Sequence, residues 1–336
     1  MVKKIVYLKL TNRCQLTCQH CYNSVCEKID MSEETLEKAT NFICNIAGEH
    51  EVEVSLHGGE PMLYKNLTHL NQMVDKMKAA NVYVSATTNL VYQLTEELKE
   101  LFHKFTQQDG EKLLLTSYDV ALGRFSYDQR TKWINNVKEL IAEGIDVQPI
   151  MSLHKLGMKY YSTPAQLLFF YKHELGLKRC NFERLTRSGK AEDNANRLIP
   201  TNREVEDWLI KLYEANKLYN LEIPLLLGLE DAIDGYLTGC RARQCTQNVI
   251  TINPDGTIAT CPNMPLDIVK DLDGNVYADK TLHICNMETI RHHACFLCEH
   301  FHECNGDCFQ LSWDDTGCPG LPKLISKMKE DLNKNG

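Results

Sequence analysis

Apolar positions along the first two thirds of the chain follow two alternating periods. The period of two that is typical of β-strands appears in six segments, at 2–11, 51–59, 82–89, 112–119, 146–153 and 179–185. Helical spacing follows, starting after an N-cap at Ser32 and recurring from Leu67, over 94–106, from Trp133 to Gly144 and over 164–175. Six strand–helix units predict an α/β fold with a parallel sheet, as a partial barrel or a doubly wound sheet. Either architecture places its site at the C-terminal ends of the strands.

Composition favours an ordinary globular enzyme. The 336 residues, 43% of them hydrophobic and 24% charged, can bury a sizeable core and predict one large domain plus a smaller one. A net charge of -8, with both signs interspersed, gives no footprint for nucleic acid or an anionic membrane. No apolar run approaches the roughly 18 residues of a membrane span, and no cleavage site follows the first residues. We therefore expect a cytoplasmic protein.

The 15 cysteines are unusual in number and in placement. They form two clusters, one within the first 26 residues and one between 240 and 318, which leaves only Cys44 and Cys180 between them. Clustered cysteines predict metal sites in a reducing compartment, whereas the same count in a secreted protein would indicate disulfides.

Three cysteines in the stretch TNRCQLTCQHCYN follow the first predicted strand directly, namely Cys14, Cys18 and Cys21. A four-iron four-sulfur cluster usually takes four cysteine ligands, so three thiolates would leave one iron open for a small molecule. A zinc site or incidental thiols are the alternatives at this point.

The CxxxCxxC spacing after the first strand of a repeated β/α pattern resembles the signature of radical S-adenosylmethionine enzymes. The resemblance implies a partial (β/α)6 TIM-like barrel in which the open iron binds S-adenosylmethionine. It also implies reductive cleavage of that cofactor to methionine and a 5′-deoxyadenosyl radical, which abstracts a hydrogen atom from the substrate.

The second predicted strand ends in HGGEP, which is similar to the Gly-Gly-Glu element of that family. The resemblance implies cofactor contacts from Gly58, Gly59 and Glu60, because glycines let a main chain approach a ligand closely. Weaker similarities imply further contacts near the ends of strands three and four and before the third cysteine, from Asn89, Ser117 and His20. The segment RLTRSGKA, 184–191, resembles the segment that lies near adenine in the family.

Cysteines and one glycine in the last third match the intervals of the extension called SPASM, known from maturases of sulfatases and ribosomal peptides. The resemblance implies two closed auxiliary four-iron clusters. Their ligands would be Cys240, Cys245, Cys261 and Cys308 in the first, and Cys295, Cys298, Cys304 and Cys318 in the second. Asp255 and Gly256 predict a hairpin turn between Cys245 and Cys261. Zinc is the alternative here, since Cx2C pairs also bind zinc.

These motifs divide the chain into four predicted parts. The partial barrel of the radical S-adenosylmethionine family is predicted to cover 1–220, a linker 221–239 and the SPASM domain 240–320. The remaining segment, 321–336, is predicted to be a solvated lysine-rich helix.

The leading hypothesis is a peptide-modifying enzyme that crosslinks, oxidises or epimerises its substrate. The cofactors would be three four-iron clusters and S-adenosylmethionine, and the partners a peptide and a reductant such as flavodoxin or ferredoxin. Only 13 residues precede Cys14, so a leader peptide would bind the core or a separate protein. Sulfatase maturation, a small-molecule (for example sugar) dehydrogenase or epimerase, and a non-catalytic metal scaffold are the alternatives. Pro262 stands where sulfatase-maturing relatives carry a proposed aspartate base, which puts that activity in doubt.

Four cysteines remain unassigned, and two of them are candidate hydrogen donors to a substrate radical. These two are Cys180 on the sixth predicted strand and Cys285 between the halves of the auxiliary motif. Cys44, within the first predicted helix, is expected to be a small buried hydrophobe.

Overall fold

The computed structural model describes residues 3–106, 110, 112–119 and 124–335. Within them, one nine-stranded sheet has the order β6-β5-β4-β3-β2-β1-β7-β8-β9. Its strands are β1 (Lys3–Thr11), β2 (Glu51–Gly58), β3 (Tyr83–Thr88), β4 (Leu113–Ser117), β5 (Asp146–Leu153), β6 (Asn181–Arg184), β7 (Val249–Ile252), β8 (Thr257–Ala259) and β9 (Ile268–Asp271).

The first six strands are parallel, and each pairs with its neighbour in the sequence. A doubly wound sheet would reverse its strand order at one point. The consecutive order therefore confirms the partial barrel. Side chains on one face of these strands line its interior, and those on the other pack against helices.

The helices flank the sheet and, after β6, also form part of the cysteine-rich extension. They are α1 (Glu33–Ala47), α2 (Leu67–Ala79), α3 (Glu96–Lys104), α4 (Tyr127–Ala142), α5 (Lys155–Tyr160), α6 (Pro164–Phe169), α7 (Lys190–Asp193), α8 (Ala195–Leu198), α9 (Asn202–Tyr219), α10 (Pro224–Ile233), α11 (Cys245–Asn248), α12 (Ala278–Thr289), α13 (Phe301–Cys304) and α14 (Pro322–Asn335). No helix in the described ranges has the length and apolar character needed to cross a bilayer.

Local signals explain where the helices begin. The Ser32 side chain accepts a hydrogen bond from the Thr35 amide, as expected for the N-cap of α1. Ser126 and Gln129 form a capping box at the start of α4. The predicted helix over 164–175 ends differently, because α6 continues into a π-helical turn over Phe170–Glu174.

The C-terminal extension is joined to the barrel by main-chain pairing. β7 lies parallel to β1, and β8 returns antiparallel to β7. Gly256 adopts a φ of 84° in the turn between β7 and β8, so the predicted hairpin is confirmed. The sheet therefore runs without a break from the barrel into the cysteine-rich part.

Two expectations about the C-terminal half need correction. The predicted linker 221–239 contains α10, whose Leu226 and Leu229 are buried in the core. The last segment is a helix, but it is not solvated: Leu324, Ile325 and Met328 of α14 are completely buried. The apolar face of α14 packs against α9 and α10. The number of lysines in this segment does not predict that packing. The domain boundaries stay predictions.

Candidate active site

The cysteine loop after β1 borders a cavity of about 400 Å³ at the C-terminal ends of the barrel strands. Cys14, Cys18 and Cys21 all line this cavity. Burial raises the pKa of Cys14 to about 11, and the same cause raises the pKa of Cys21. Each of the 15 cysteines is a free thiol, so the disulfide alternative is wrong for this structure. The loop thus presents three thiols to one cavity, as a cluster with three protein ligands requires.

The two glycines of HGGEP are required by the protein's own main chain. A Cβ at Gly58 would lie 2.1 Å from the Thr11 carbonyl oxygen, and one at Gly59 would lie 2.0 Å from that of Arg13. The Gly59 amide donates to the Thr11 oxygen at 2.7 Å. Both glycines also line the cavity. A side chain at Gly59 would therefore displace the cysteine loop.

Glu60 ties the end of β2 to the end of β3. Its carboxylate accepts hydrogen bonds from the Thr88 hydroxyl at 2.6 Å and the Asn89 amide at 2.7 Å. Burial raises the pKa of Glu60 to about 7, although these donors oppose the shift. The Asn89 side chain lies 3.6 Å from the Cys14 sulfur. Glu60 and Asn89 therefore hold the cysteine loop in addition to bordering the cavity.

Two further predicted segments reach the same cavity. Ser117 borders it from the end of β4. The segment 184–191 borders it too, and the Lys190 amide donates to the Cys21 carbonyl at 3.2 Å. A Cβ at Gly189 would lie 2.4 Å from the Cys21 oxygen. The chain after β6 thus closes over the cysteine loop.

His20 is buried at 7% exposure and borders the cavity. The Arg124 guanidinium donates a hydrogen bond to the His20 Nε2 at 2.9 Å. The His20 ring stacks on the His154 ring with centroids 5.7 Å apart. His154 in turn lies 2.7 Å from the Asp119 carboxylate. Burial, followed by the charge of Arg124, lowers the pKa of His20 to about 3.

Ligand atoms of His20, Asp119 and His154 lie within 4.8 Å of one another. Such a group can hold a metal ion, but the Arg124 guanidinium already donates to the His20 Nε2 and repels a cation. A hydrogen-bonded network is the better description. Arg124, Asp119 and His154 were not predicted, because the ends of β4 and β5 bring them to His20 from distant positions in the sequence.

Four other side chains missing from the sequence prediction line the interior end of the cavity. Tyr7 contacts His57 edge to face, and the Tyr22 hydroxyl lies 2.9 Å from the His57 Nδ1. Glu183 projects from β6 into the same space. The strand parity of Tyr7 and Glu183 is the only sequence signal for this placement.

Thiols of the first predicted auxiliary set meet in the extension. The Cys240 and Cys308 thiols share a hydrogen bond, which raises the pKa of Cys240 and lowers that of Cys308. Burial and then the neighbouring Cys261 raise the pKa of Cys245 to about 12. The Gln310 amide donates to the Cys261 sulfur at 3.1 Å.

Thiols of the second predicted set also lie together. The position of Gly320 joins two of them, since a Cβ there would lie 2.3 Å from the Cys304 sulfur and 3.9 Å from that of Cys318. Cys295 and Cys298 lie close enough for their charges to raise the pKa of Cys318, after the larger effect of burial. Members of each predicted set thus lie near one another, and the two ligand sets stay predictions.

Neither candidate hydrogen donor borders the cavity. Cys180 is completely buried on the strand face that it shares with Phe182, toward the helices, and burial raises its pKa. Cys285 lies on α12, partly exposed. Cys44 is partly exposed but packs against the core, with its thiol 3.9 Å from the Lys76 carbonyl.

A family model described as a 4Fe-4S single cluster domain matches residues 4–138. The PqqA peptide cyclase of Streptomyces rochei is 22% identical over 325 residues, which are 91% of this chain and 85% of that protein. Other curated relatives match over shorter regions, and the chain spans 35%, 57% and 51% of the length of three of them.

Two solved structures share the fold over most of the chain. Native anSMEcpe with bound AdoMet and Cp18Cys peptide is 17% identical with a TM-score of 0.72, over 97% of this chain and 95% of that one. SuiB of Streptococcus suis bound to precursor peptide SuiA is 14% identical with a TM-score of 0.65, over 92% of this chain and 72% of that one.

Proposed function

We propose, from the confirmed resemblance of this chain to radical S-adenosylmethionine enzymes with a SPASM extension, that it modifies a peptide by hydrogen-atom abstraction. The observation that carries the proposal is a single cavity bordered by the Cys14, Cys18 and Cys21 thiols, the Gly58–Gly59 turn and Ser117. Bound there, a four-iron cluster and S-adenosylmethionine would supply a 5′-deoxyadenosyl radical. The free thiols and the absence of disulfides suit a reducing compartment such as the cytoplasm.

The residues of the chain fit distinct tasks at this site. The three loop thiolates would hold the cluster and leave one iron open. Glu60 and Asn89 would hold the loop against the strand ends, and Ser117 would contact the cofactor ribose. His20 is held between Arg124 and His154, and the face of its imidazole ring would lie beside the cofactor. These contacts orient the reactants, which is where the protein contributes most to such chemistry.

The eight thiols of the extension would hold two auxiliary clusters with four ligands each. Closed clusters suit electron transfer better than substrate coordination. A flavodoxin or ferredoxin is the class of reductant that could supply the first electron. Zinc remains the alternative that the experiment below excludes.

A peptide substrate is supported by the neighbours, since the anSMEcpe and SuiB structures contain bound peptides. Sulfatase maturation has less support here. The Pro262 carbonyl accepts a hydrogen bond from the buried Lys9 ammonium at 3.2 Å, and proline offers no base.

Replacing the three loop cysteines tests the proposal. Anaerobically reconstituted wild-type protein should hold about 12 irons. The Cys14→Ala, Cys18→Ala, Cys21→Ala triple variant should lose about four of them and all cleavage of S-adenosylmethionine, measured as 5′-deoxyadenosine. Cys44→Ala is the matched control, because the Cys44 thiol lies in the helix layer, 3.9 Å from the Lys76 carbonyl. The substitution should change neither value. Wild-type protein that fills with zinc and takes up no iron would refute the proposal.

A further inference from the structure

Glu183 is an acidic side chain inside the barrel that the proposed chemistry does not use. It lies on β6 beside Ser152 of β5, and its side chain keeps exposed surface because it borders the cavity. Burial raises its pKa, and the charge of Arg124 opposes that shift. A carboxylate that borders a cavity inside a barrel can bind a cationic partner there.

The described residues provide no such partner by ion pairing. No Lys, Arg or His within the described ranges lies within ion-pair distance of the Glu183 carboxylate. Arg124, the basic group that acts on it, donates to His20 instead. The charges of the Cys18 thiol and of Asp119 act most strongly on the Arg124 guanidinium. Three more basic residues border the cavity, namely Lys28, Arg184 and Lys190. Lys28 donates to the Asn12 carbonyl at 3.0 Å and Arg184 to the Asn202 side chain at 2.6 Å, and none of the four basic residues forms an ion pair with Glu183.

Two tyrosine rings border the same cavity as the carboxylate. The charge of Glu183 acts on both Tyr7 and Tyr22 and contributes to their raised pKa values, after the larger effect of burial. The Tyr22 ring already accepts a cation on one side, the Lys9 ammonium at 5.3 Å from its centroid. Asn263, from the extension, completes this end of the cavity. Acid and aromatic faces together are the usual surroundings of a bound ammonium or guanidinium.

We propose that Glu183, with the Tyr7 and Tyr22 rings, binds a cationic group of the substrate, an ammonium or a guanidinium, at the interior end of the cavity. The inference rests on the proposed function and refines it, because it selects peptides that carry a lysine, an arginine or a free amino terminus beside the modified residue. The opposite charges of Arg124 and Glu183 would then separate the anionic cluster end from the cationic substrate end.

Small probes test this binding on the reconstituted holoenzyme with S-adenosylmethionine. Saturation-transfer NMR would compare butylamine and butylguanidine with butanol and butyrate. The two cationic probes should bind, and Glu183→Gln should weaken them about tenfold or more, since a charge-assisted hydrogen bond is lost. Glu183→Asp, which withdraws the charge by one methylene, should give an intermediate affinity. Glu192→Gln, an exposed glutamate on the neighbouring α7, should bind as the wild type does.

Iron content and affinity for S-adenosylmethionine distinguish a failure of this inference from a failure of the proposed function. Glu183→Gln should retain both while losing the cationic probes. Equal binding of butyrate, or unchanged probe affinity in Glu183→Gln, would overturn the inference and leave the proposed function intact. Loss of cofactor affinity in Glu183→Gln would assign the carboxylate to the cofactor and also overturn it. Wild-type protein without iron would instead refute the proposed function.

Discussion

The backbone of the cysteine loop leaves no room for one carbon atom at Gly59. Its amide donates a hydrogen bond to the Thr11 carbonyl, and the Arg13 carbonyl occupies the place of a Cβ, so the end of β2 and the loop form one packed unit. Sequence similarity implies that this glycine contacts the cofactor, but the atom that excludes a side chain belongs to the protein. Local strand pattern could not reveal this, because the contact joins two segments that are about 45 residues apart in the chain.

Gly59→Ala is expected to destabilise the protein by about 1–3 kcal/mol, since overpacking forces the main chain to move. The same variant should reconstitute less iron, because the displaced residues precede Cys14. Chemical denaturation of the apoprotein and iron analysis measure the two effects. Gly228→Ala is the control: it lies on α10 with its nearest contact at 3.6 Å and should be neutral or slightly stabilising. Wild-type stability in Gly59→Ala would show that the loop is free to shift.

Single elements differ in how far the sequence predicts them. β5 begins and ends where its alternating pattern predicts, because Gly144 ends the preceding helix and leaves the strand isolated. α10 was missed although Pro224 stands at its first turn, a position that favours helix initiation. α14 was predicted as a solvated helix, whereas its apolar side chains are buried in the core. Hydrophobic spacing identifies an apolar face, and only the fold shows whether another element covers it.

The packing of α14 can be tested with two leucines on the same helix. Leu324 is 0% exposed and Leu332 is 45% exposed. Leu324→Ala should lower the free energy of unfolding by about 2–5 kcal/mol, because it opens a cavity in the core. Leu332→Ala should change it by less than about 0.5 kcal/mol. Thermal or urea denaturation gives both values, and equal effects of the two substitutions would contradict the buried placement.

At the scale of the molecule, the barrel and the extension meet in ways that no local pattern predicts. β1 pairs with β7 from the far end of the chain, and the charged network around His20 assembles from the ends of separate strands. The two thiol sets, by contrast, are implied by the resemblance to the SPASM extension and stay predictions. Asn202 at the start of α9 also joins the halves: its side-chain amide donates to the Ser312 and Gly317 carbonyls at 3.0 and 2.8 Å.

Asn202→Ala should loosen the segment that carries Cys318. The substitution removes two hydrogen bonds that join α9 to this segment, each of which contributes about 0.5–1.5 kcal/mol of local stability. Hydrogen exchange of residues 312–320 should become faster, and a chelator should remove iron from the variant sooner than from wild type. Asn275→Ala is the control, because its side chain bonds to Asp271 within its own turn. Unchanged exchange in Asn202→Ala would mean that other contacts hold the segment.

The position of β1 between β2 and β7 also affects how the chain is made. A ribosome produces β1 first and β7 about 240 residues later, which takes roughly 12–48 s at ~5–20 residues per second. During that interval one edge of β1 has no strand beside it, and such an edge can pair with another chain. We therefore expect newly synthesised protein to need protection by chaperones until its last third emerges, and slower translation to increase its aggregation.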